Sequence, residues 1–427
     1  MAKLLIKNGR VIDPASRIDR VADVLIEDGR IAGAGENMEA PGAEIFDASG
    51  MIVAPGFIDM HVHLREPGFE HAETIESGSR AAAAGGFTSI CSMPNTAPVN
   101  DSATVTKYIV ERARLTAVVN VFPVGAITKD SAGEALAAIG AMREAGAVAI
   151  SDDGRPVMNA CVMRRAMEFA KAFDMPVINH CEDLNLSAGG DMHEGYESVR
   201  LGLRGIPSSS EDVMVARDLV LAEVTDARYH VAHISARRSV RMVAAAKAQG
   251  LPVTCEATPH HFSLADTDIV PYDSNFKMKP PLRALRDVSA VTEGIVDGTV
   301  DAIATDHAPH PGSEKMQEFE RCPFGIIGLE TALALALTQL VHPGKISLAR
   351  LVLLMSTNPA RIIRRPLGRL AVGAVADITI LDPNLEWTYH VAAGRSKSRN
   401  SPFDGWPFKG AAIATIVAGK IVYRRAA

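Results

Sequence analysis

The chain has 427 residues, of which 47% are hydrophobic and 22% are charged, and its formal net charge is −6. This composition excludes wholesale disorder, and the mildly acidic balance offers neither an electrostatic footprint for nucleic acid nor a basic face for a membrane. At roughly 150 residues per domain, the length predicts about three domains or one large α/β domain with an elaboration.

The sequence carries no sign of export or membrane insertion. No apolar run reaches the roughly 18 residues that a membrane helix needs, and the start MAKLLIKNGR lacks the long apolar core of a signal peptide. The five cysteines are scattered and form no CxxC pair, which favours reduced thiols over a disulfide framework. We therefore expect a cytoplasmic protein.

Both ends of the chain have the pattern of short strands joined by tight turns. Residues 1–55 contain alternating apolar and polar segments with NG and DG at the bends, which is a strong hairpin signal. Residues 366–427 contain similar runs, ADITILD and AAIATIVAGKIVY. We predict that the two ends form one small composite β-sandwich domain, although two separate modules would fit the same pattern.

In residues 56–365, short apolar runs alternate with Ala-rich helical stretches, and each run becomes polar at its C-terminal end. This alternation predicts an α/β fold, a (β/α)8 TIM-type barrel with its active site at the strand C-termini. A doubly wound sheet is the alternative, but it usually has a Gly-rich loop after its first strand, where this chain has HVH. The runs are MIVAPGFIDMHVH, GGFTSICSMPN, VVNVFPVGAITKD, GAVAISDDG, MPVINHCED, ARYHVAHIS, LPVTCEATPHH and VDAIATDHAPH.

Histidine and aspartate recur at the ends of these strands. His61 and His63 are two residues apart on one strand, so their side chains face the same way. Imidazole and carboxylate are ligands of zinc-like divalent metals, so the pattern predicts a metal site at the barrel mouth. Spacing alone does not select one member of each neighbouring pair. The other strand-end residues are Asp152, Asp153, His180, His230, His233, Asp306, His307 and His310.

The motif HVHLR, the histidines of the fifth and sixth strands and ATDHAPH resemble the cyclic amidohydrolases. More narrowly, MPNT, SDDG, HCED, PPLR, DHAPH and SKSRN resemble class I dihydroorotases, and the resemblance covers essentially the whole chain. It implies a reversible, zinc-dependent cyclisation of N-carbamoyl-L-aspartate to (S)-dihydroorotate in pyrimidine biosynthesis.

The resemblance also implies a role for each metal-ligating residue. His61 and His63 would bind a first zinc ion and His180 and His233 a second. Asp153 and a hydroxide would bridge these two ions. Asp306 would contact the first ion and act as the catalytic general acid and base.

The same resemblance implies a set of substrate contacts. Arg65 lies two residues beyond His63 and can fork onto a carboxylate. Lys279 stands where the family often has Asn, and a lysine cannot accept a hydrogen bond. The implied substrate-binding residues are Arg65, Asn95, Lys279, His310, Phe324 and Gly325. Residues 308–325 lack clear periodicity and are predicted to form a mobile loop over the active face.

Two other functions are weighed against this one. A hydantoinase or allantoinase would be expected to present a lysine on the fourth strand, where this chain has SDDG. A catalytically silent partner subunit of aspartate transcarbamoylase would be expected to lack metal ligands that this chain keeps. We expect a small-molecule substrate, no nucleic-acid or membrane partner, and a homodimer, and association with aspartate transcarbamoylase is compatible with activity.

Overall fold

Two eight-stranded sheets dominate the computed structural model, which describes residues 3–426; the predicted domain limits at residues 1 and 427 lie outside it. The strands, in chain order, are β1 (Lys3–Asp13), β2 (Ile18–Glu27), β3 (Arg30–Gly35), β4 (Glu44–Asp47), β5 (Ile52–Pro55), β6 (Phe57–Val62), β7 (Phe87–Ser92), β8 (Asn120–Gly125), β9 (Ala149–Ile150), β10 (Val177–Asn179), β11 (Met192–His193), β12 (Gly205–Ile206), β13 (Tyr229–Val231), β14 (Val253–Ala257), β15 (Ala302–Ile303), β16 (Ile378–Thr388), β17 (Pro407–Val417) and β18 (Lys420–Arg424).

Most of the helices follow barrel strands. They are α1 (Ile75–Ala84), α2 (Ala103–Thr116), α3 (Ile139–Ala145), α4 (Ala160–Ala172), α5 (Tyr196–Leu201), α6 (Ser209–Thr225), α7 (Arg237–Ala248), α8 (Pro259–Ser263), α9 (Leu285–Asp297), α10 (Gly312–Lys315), α11 (Ala332–Ala336), α12 (Leu348–Val352) and α13 (Asn358–Ile362). Leu337–Val341 and Leu353–Thr357 are π-helical turns, the first continuing α11 and the second joining α12 to α13. Short 3₁₀ turns span Lys129–Ser131, Asp266–Asp268, Ser274–Phe276 and Val391–Ala393.

The barrel consists of parallel strands in the order β15-β14-β13-β10-β9-β8-β7-β6. A parallel bridge between Val62 and His307 closes the ring, and the His63 backbone N–H donates to the His307 carbonyl at 2.9 Å. The strands are apolar on both faces because helices cover the outside and side chains fill the inside. The predicted TIM-type barrel is confirmed, and each of the eight predicted runs contains one of its strands.

The second sheet joins the two ends of the chain. Its strand order is β18-β17-β16-β5-β1-β2-β3, with β4 beside β1. β5 pairs in parallel with β1 and antiparallel with β16, so N-terminal and C-terminal strands meet there. Residues from both ends, including Ile6, Val24, Ile380 and Ile416, share one hydrophobic core. This confirms the predicted composite terminal β domain, whereas its exact limits at residues 55 and 366 stay predictions.

Thr379 of β16 connects the terminal domain to the start of the barrel. Its buried hydroxyl donates to the Gly86 carbonyl at 2.6 Å and accepts from the Phe57 backbone N–H at 3.1 Å. Phe57 begins β6 and Gly86 immediately precedes β7, so one side chain positions the first two barrel strands.

A search of the chain from residue 3 to residue 426 finds no helix with the length and apolar character needed to cross a membrane.

We expect Thr379→Val to lower the free energy of unfolding by about 1–3 kcal/mol, because it leaves two buried backbone groups unpaired at nearly constant volume. Urea denaturation measures the change. Thr388→Val, at an exposed position of the same strand, is the control and should change stability by no more than about 0.5 kcal/mol. Equal effects of the two substitutions on stability would contradict the role of Thr379 in connecting the terminal domain to the barrel.

Candidate active site

All six predicted metal ligands lie at the C-terminal mouth of the barrel, and all are buried. Three overlapping groups have ligand atoms within 4.8 Å of one another. Each group combines imidazole with carboxylate, although the residues come from five different strand ends. The groups are His61, His63 and Asp153; Asp153, His180 and His233; and His61, His233 and Asp306.

Asp153 lies at the centre of this cluster. Its Oδ1 is 3.2 Å from His61 Nε2, 3.7 Å from His233 Nε2 and 3.8 Å from His180 Nδ1. Its Oδ2 is 3.5 Å from His63 Nε2. One carboxylate therefore faces all four imidazoles, three through Oδ1 and one through Oδ2.

Asp152, the neighbour of Asp153, points away from the cluster. Its carboxylate accepts the backbone N–H groups of Ile127 at 2.8 Å and Thr128 at 3.1 Å. Burial raises the pKa of Asp152 to about 6, although these hydrogen bonds oppose the shift. Asp152 therefore holds the loop after β8, and the opposite orientation of adjacent residues places only Asp153 in the mouth.

Three of the four histidines are held by an acceptor on the ring nitrogen that points away from the cluster. Because an amide or carboxylate oxygen can only accept here, each of these outer nitrogens carries the proton. The inner nitrogens can therefore offer their lone pairs to a metal, as in histidines that ligate metals. The pairs are His61 Nδ1 with Glu256 Oε1 at 2.7 Å, His63 Nδ1 with Asn95 Oδ1 at 2.8 Å and His180 Nε2 with Glu182 Oε2 at 3.0 Å.

Two inner atoms of the cluster lack hydrogen-bond partners in the part of the chain that the structure describes. Within residues 3–426, His61 Nε2 and Asp153 Oδ1 are buried and have no hydrogen-bond partner. Buried polar atoms without partners are rare because their desolvation is costly. A cation bound between these two atoms would give both of them a partner, and the mixed nitrogen and oxygen donor set fits a zinc-like divalent metal.

Asp306 lies beside the first two histidines. Its Oδ1 is 2.9 Å from His63 Nε2 and 3.4 Å from His61 Nε2. Burial alone would raise the pKa of Asp306, but the neighbouring imidazoles of His61 and His63 outweigh burial and hold the pKa below its ordinary value. The carboxyl group is therefore ionised at neutral pH and can accept a proton.

Three site residues have left-handed backbone conformations that are uncommon outside glycine. The φ angles are 61° at Arg65, 31° at His233 and 46° at Asp306. Such conformations cost free energy and persist where the surrounding structure requires a particular side-chain direction. Here they turn the side chains at three strand ends toward one mouth.

Arg65 and His310 form a cationic corner next to the cluster. Arg65 Nε donates to the Pro309 carbonyl at 3.1 Å, and Arg65 Nη2 lies 3.2 Å from His310 Nε2. Burial and the charge of Arg65 lower the pKa of His310 to about 4, so its ring is neutral. His310 Nε2 therefore accepts from Arg65, while His310 Nδ1 donates to Glu314 at 3.1 Å.

Lys279 and Phe324, two of the other predicted substrate contacts, lie close to each other. Lys279 Nζ is 2.7 Å from Glu182 Oε1 and 5.2 Å from the ring centroid of Phe324. Burial opposes ionisation of Glu182, but its neighbours His180 and Lys279 outweigh burial and lower its pKa to about 2. Lys279 is thus a charge partner for the glutamate that holds a cluster histidine, a role that its sequence context did not indicate.

Gly325 uses its backbone within the protein. Its N–H donates to the Lys277 carbonyl at 2.9 Å, and its carbonyl accepts from Lys315 at 3.1 Å and from Asn400 at 3.0 Å. Its predicted contact with a substrate ring stays a prediction, as does the contact of Phe324. The structure therefore gives this glycine a second role, in which it joins three segments below the mouth.

Two buried lysines, Lys277 and Lys315, hold the loop at 308–325 in place through hydrogen bonds to its carbonyl groups. Lys315 also donates to the Pro323 carbonyl at 2.9 Å, and Lys277 Nζ donates to the Glu320 carbonyl at 3.1 Å and lies 4.5 Å from the ring centroid of Phe324. The loop is thus attached to the barrel at its middle and at its end. Its predicted mobility stays a prediction.

The carboxylates behind the cluster were missed in the sequence analysis. Glu256 receives a hydrogen bond from His61, and its other oxygen lies 3.2 Å from His230 Nε2. Asp59 accepts the backbone N–H groups of His61 at 3.0 Å and Thr305 at 3.1 Å. The available signal was a charged residue within an apolar strand, because a buried carboxylate needs partners. His230 contacts Glu256 and is not a member of the three metal-type groups found among residues 3–426.

Comparison with solved structures gives the class of the protein. The chain is similar to L-hydantoinase (dihydropyrimidinase) from Arthrobacter aurescens, with a TM-score of 0.89 and 27% identity over 100% of this chain and 97% of that chain. Together with the barrel and its cluster of histidines and aspartates, this similarity defines an enzyme of the cyclic amidohydrolase class.

Comparison with sequences narrows the class to one family. The model of the Dihydro-orotase-like family matches residues 50–239. A dihydroorotase from Solibacter usitatus (strain Ellin6076) is 71% identical over 422 residues, which are 99% of this chain and 98% of that protein. A dihydroorotase from Pelotomaculum thermopropionicum is 56% identical over 420 residues, 98% of each chain. The chain belongs to the dihydroorotase family, which confirms the resemblance found in its motifs.

Adjacent aspartates allow a matched test of the cluster. We expect Asp153→Asn to reduce the zinc retained per chain after dialysis to half the wild-type amount or less, because it removes the charge that faces all four imidazoles. Asp152→Asn should retain the wild-type amount, although it weakens the loop after β8. Elemental analysis of both folded proteins measures the difference, and equal retention would contradict the central place of Asp153.

Proposed function

We propose that the protein interconverts N-carbamoyl-L-aspartate and (S)-dihydroorotate with two zinc ions bound at the barrel mouth. The observation that carries the proposal is the arrangement of Arg65 and His310 beside the cluster of six metal-type ligands. This arrangement supplies a cationic contact for a substrate carboxylate next to a site for amide hydrolysis. The family membership supports the same reaction.

The cluster divides into two sets of ligands. His61, His63 and Asp306 would hold one ion, His180 and His233 would hold the other, and Asp153 would contact both. Zinc bound there would supply Lewis acidity and lower the pKa of water toward about 7. Glu256, Asn95 and Glu182 keep the outer ring nitrogens protonated, so the inner nitrogens stay available.

Asp306 is the proton carrier in this proposal. In ring opening, water adds to the ring amide carbonyl, the carbon–nitrogen bond breaks, and the leaving nitrogen needs a proton. The ionised Asp306 takes that proton from the attacking water and delivers it to the nitrogen. In ring closure, Asp306 removes a proton from the ureido nitrogen, which attacks the carbon of the protonated side-chain carboxyl group, and Asp306 returns that proton to the leaving hydroxyl, which departs as water.

Arg65 and its neighbours would recognise the carboxylate that remains outside the ring. Arg65 donates through Nε to Pro309 and through Nη2 to His310, which fixes the plane of its guanidinium group. Its other N–H groups stay available for a bidentate or charge-assisted contact. Asn95 uses its oxygen for His63, so its amide nitrogen can donate to the same carboxylate. Lys279, Phe324 and Gly325 would contact the ring of the substrate.

Hydrolysis of a hydantoin is the second candidate, because the structural comparison includes a hydantoinase. Two features favour dihydroorotate. The fourth strand presents Asp153 where a hydantoinase is expected to present a lysine, and Arg65 is placed for a substrate that carries a carboxylate. A homodimer, association with aspartate transcarbamoylase and a cytoplasmic location complete the proposal.

The reaction is tested with wild type and Asp306→Asn, both loaded with zinc. We expect wild type to hydrolyse dihydroorotate and to cyclise carbamoyl aspartate. In the variant, kcat should fall about 10²–10⁴-fold in both directions, because a positioned acid and base is lost. Zinc content and a thermal melt show whether the variant retains its site and its fold.

Turnover of hydantoin by wild type without turnover of dihydroorotate would contradict the proposed substrate. Undiminished activity of the folded, zinc-loaded variant would contradict the role of Asp306.

A further inference from the structure

A segment near the C-terminus, residues 394–401, crosses from the terminal domain to the barrel mouth. Glu73, in the loop between β6 and α1, anchors this crossing segment. Its buried carboxylate contacts the Ser396 hydroxyl and accepts the Lys397 backbone N–H at 3.1 Å. The Ser398 hydroxyl donates to the Ala72 carbonyl at 2.7 Å. The crossing segment is therefore held in register with the first barrel loop.

Asn400 lies at the end of the crossing segment and joins two loops of the mouth. Its Nδ2 donates to the Ala308 carbonyl at 2.9 Å and to the Gly325 carbonyl at 3.0 Å. Its Oδ1 accepts the His310 backbone N–H at 3.0 Å, and its own carbonyl accepts from Ile327 at 3.0 Å. The side chain is 3% exposed. Both amide protons and the amide oxygen are thus used on the two ends of the loop at 308–325.

These bonds act on the backbone that orients the cationic corner. The Pro309 carbonyl receives Arg65 Nε, and the His310 ring receives Arg65 Nη2. Asn400 binds the residue before Pro309 and the backbone of His310, so it sets the position of both acceptors of Arg65. A shift of this backbone would move the guanidinium group without touching the metal-type cluster.

We propose that Asn400 is a positioning residue for recognition of the substrate carboxylate, and that it acts through the backbone at 308–310 on Arg65 and His310. This inference rests on the proposed function, since it assigns the cationic corner to the carboxylate of dihydroorotate and carbamoyl aspartate. It gives the C-terminal part of the chain a direct part in substrate selection.

The chemistry of the contact demands an amide. Asp at position 400 has nearly the same shape, but its second oxygen would face the carbonyls of Ala308 and Gly325 in place of two donors. Ser keeps one donor and one acceptor on a shorter side chain. Each variant leaves buried backbone groups unpaired, which disfavours the position that the loop has in the wild-type protein.

The test compares Asn400→Asp and Asn400→Ser with wild type, each as the full chain loaded with zinc. We expect KM for dihydroorotate and for carbamoyl aspartate to rise about 10- to 100-fold, which corresponds to the loss of about 1.4–2.8 kcal/mol of binding. The kcat should stay within about threefold and the zinc content should be unchanged, because the cluster is not altered.

Ser398→Ala is the matched control, since Ser398 lies in the same crossing segment but its hydroxyl donates to the Ala72 carbonyl and not to the loop at 308–325. It should leave KM within about twofold of wild type. Calorimetric titration with orotate, which carries the carboxylate, gives a second reading, and its Kd should rise in parallel with KM in both Asn400 variants.

Unchanged KM and orotate Kd in both Asn400 variants would overturn the inference. So would a fall in kcat or zinc content at unchanged KM, because either would place the effect at the cluster. An equal rise in KM in the Ser398 control would show that Asn400 only stabilises the crossing segment, and it would contradict a specific positioning role. Failure of wild type to act on dihydroorotate would overturn the proposed function itself, which is a separate result.

Discussion

The carboxylate of Asp153 is buried and lies 3.2–3.8 Å from nitrogens of four imidazoles. Such an arrangement is costly unless positive charge compensates it, because desolvated charges without partners are strongly unfavourable. The barrel keeps the arrangement through a second layer of acceptors, Glu256, Asn95 and Glu182, which hold the histidine rings by their outer nitrogens. The positions of the histidines and of their acceptors at the mouth therefore depend on a centre that is suited to bind cations.

The fold supports that centre both at the mouth of the barrel and at the starts of its strands. Parallel strands bring their C-terminal ends to one mouth, so residues far apart in sequence meet there. The terminal domain stabilises the barrel at both of its ends. Thr379 fixes the starts of β6 and β7, and the crossing segment reaches the mouth, where Asn400 joins the loop that carries His310. Chemistry and substrate selection therefore depend on different parts of the same chain.

Much of this was predictable from strand periodicity and from motifs. The alternation of apolar runs indicated eight strands, and the polar residues at their ends indicated the mouth. The choice of Asp153 over Asp152 followed from family resemblance and agrees with the orientations in the structure. Glu256 and Asn400 could not be found in this way, because their roles depend on which strands and loops become neighbours. Lys279 was interpreted only through its place in a motif, since its pairing with Glu182 joins loops that follow two different barrel strands.

The central claim is that six side chains from five strand ends form one centre for two metal ions. Anomalous diffraction at the zinc edge, from crystals of the zinc-loaded protein, tests this claim most directly. We expect two peaks about 3.5–4 Å apart. One should lie next to His61 and His63 and the other next to His180 and His233, and Asp153 should contact both zinc ions. A single peak at full zinc occupancy, or zinc bound away from Asp153, would contradict it.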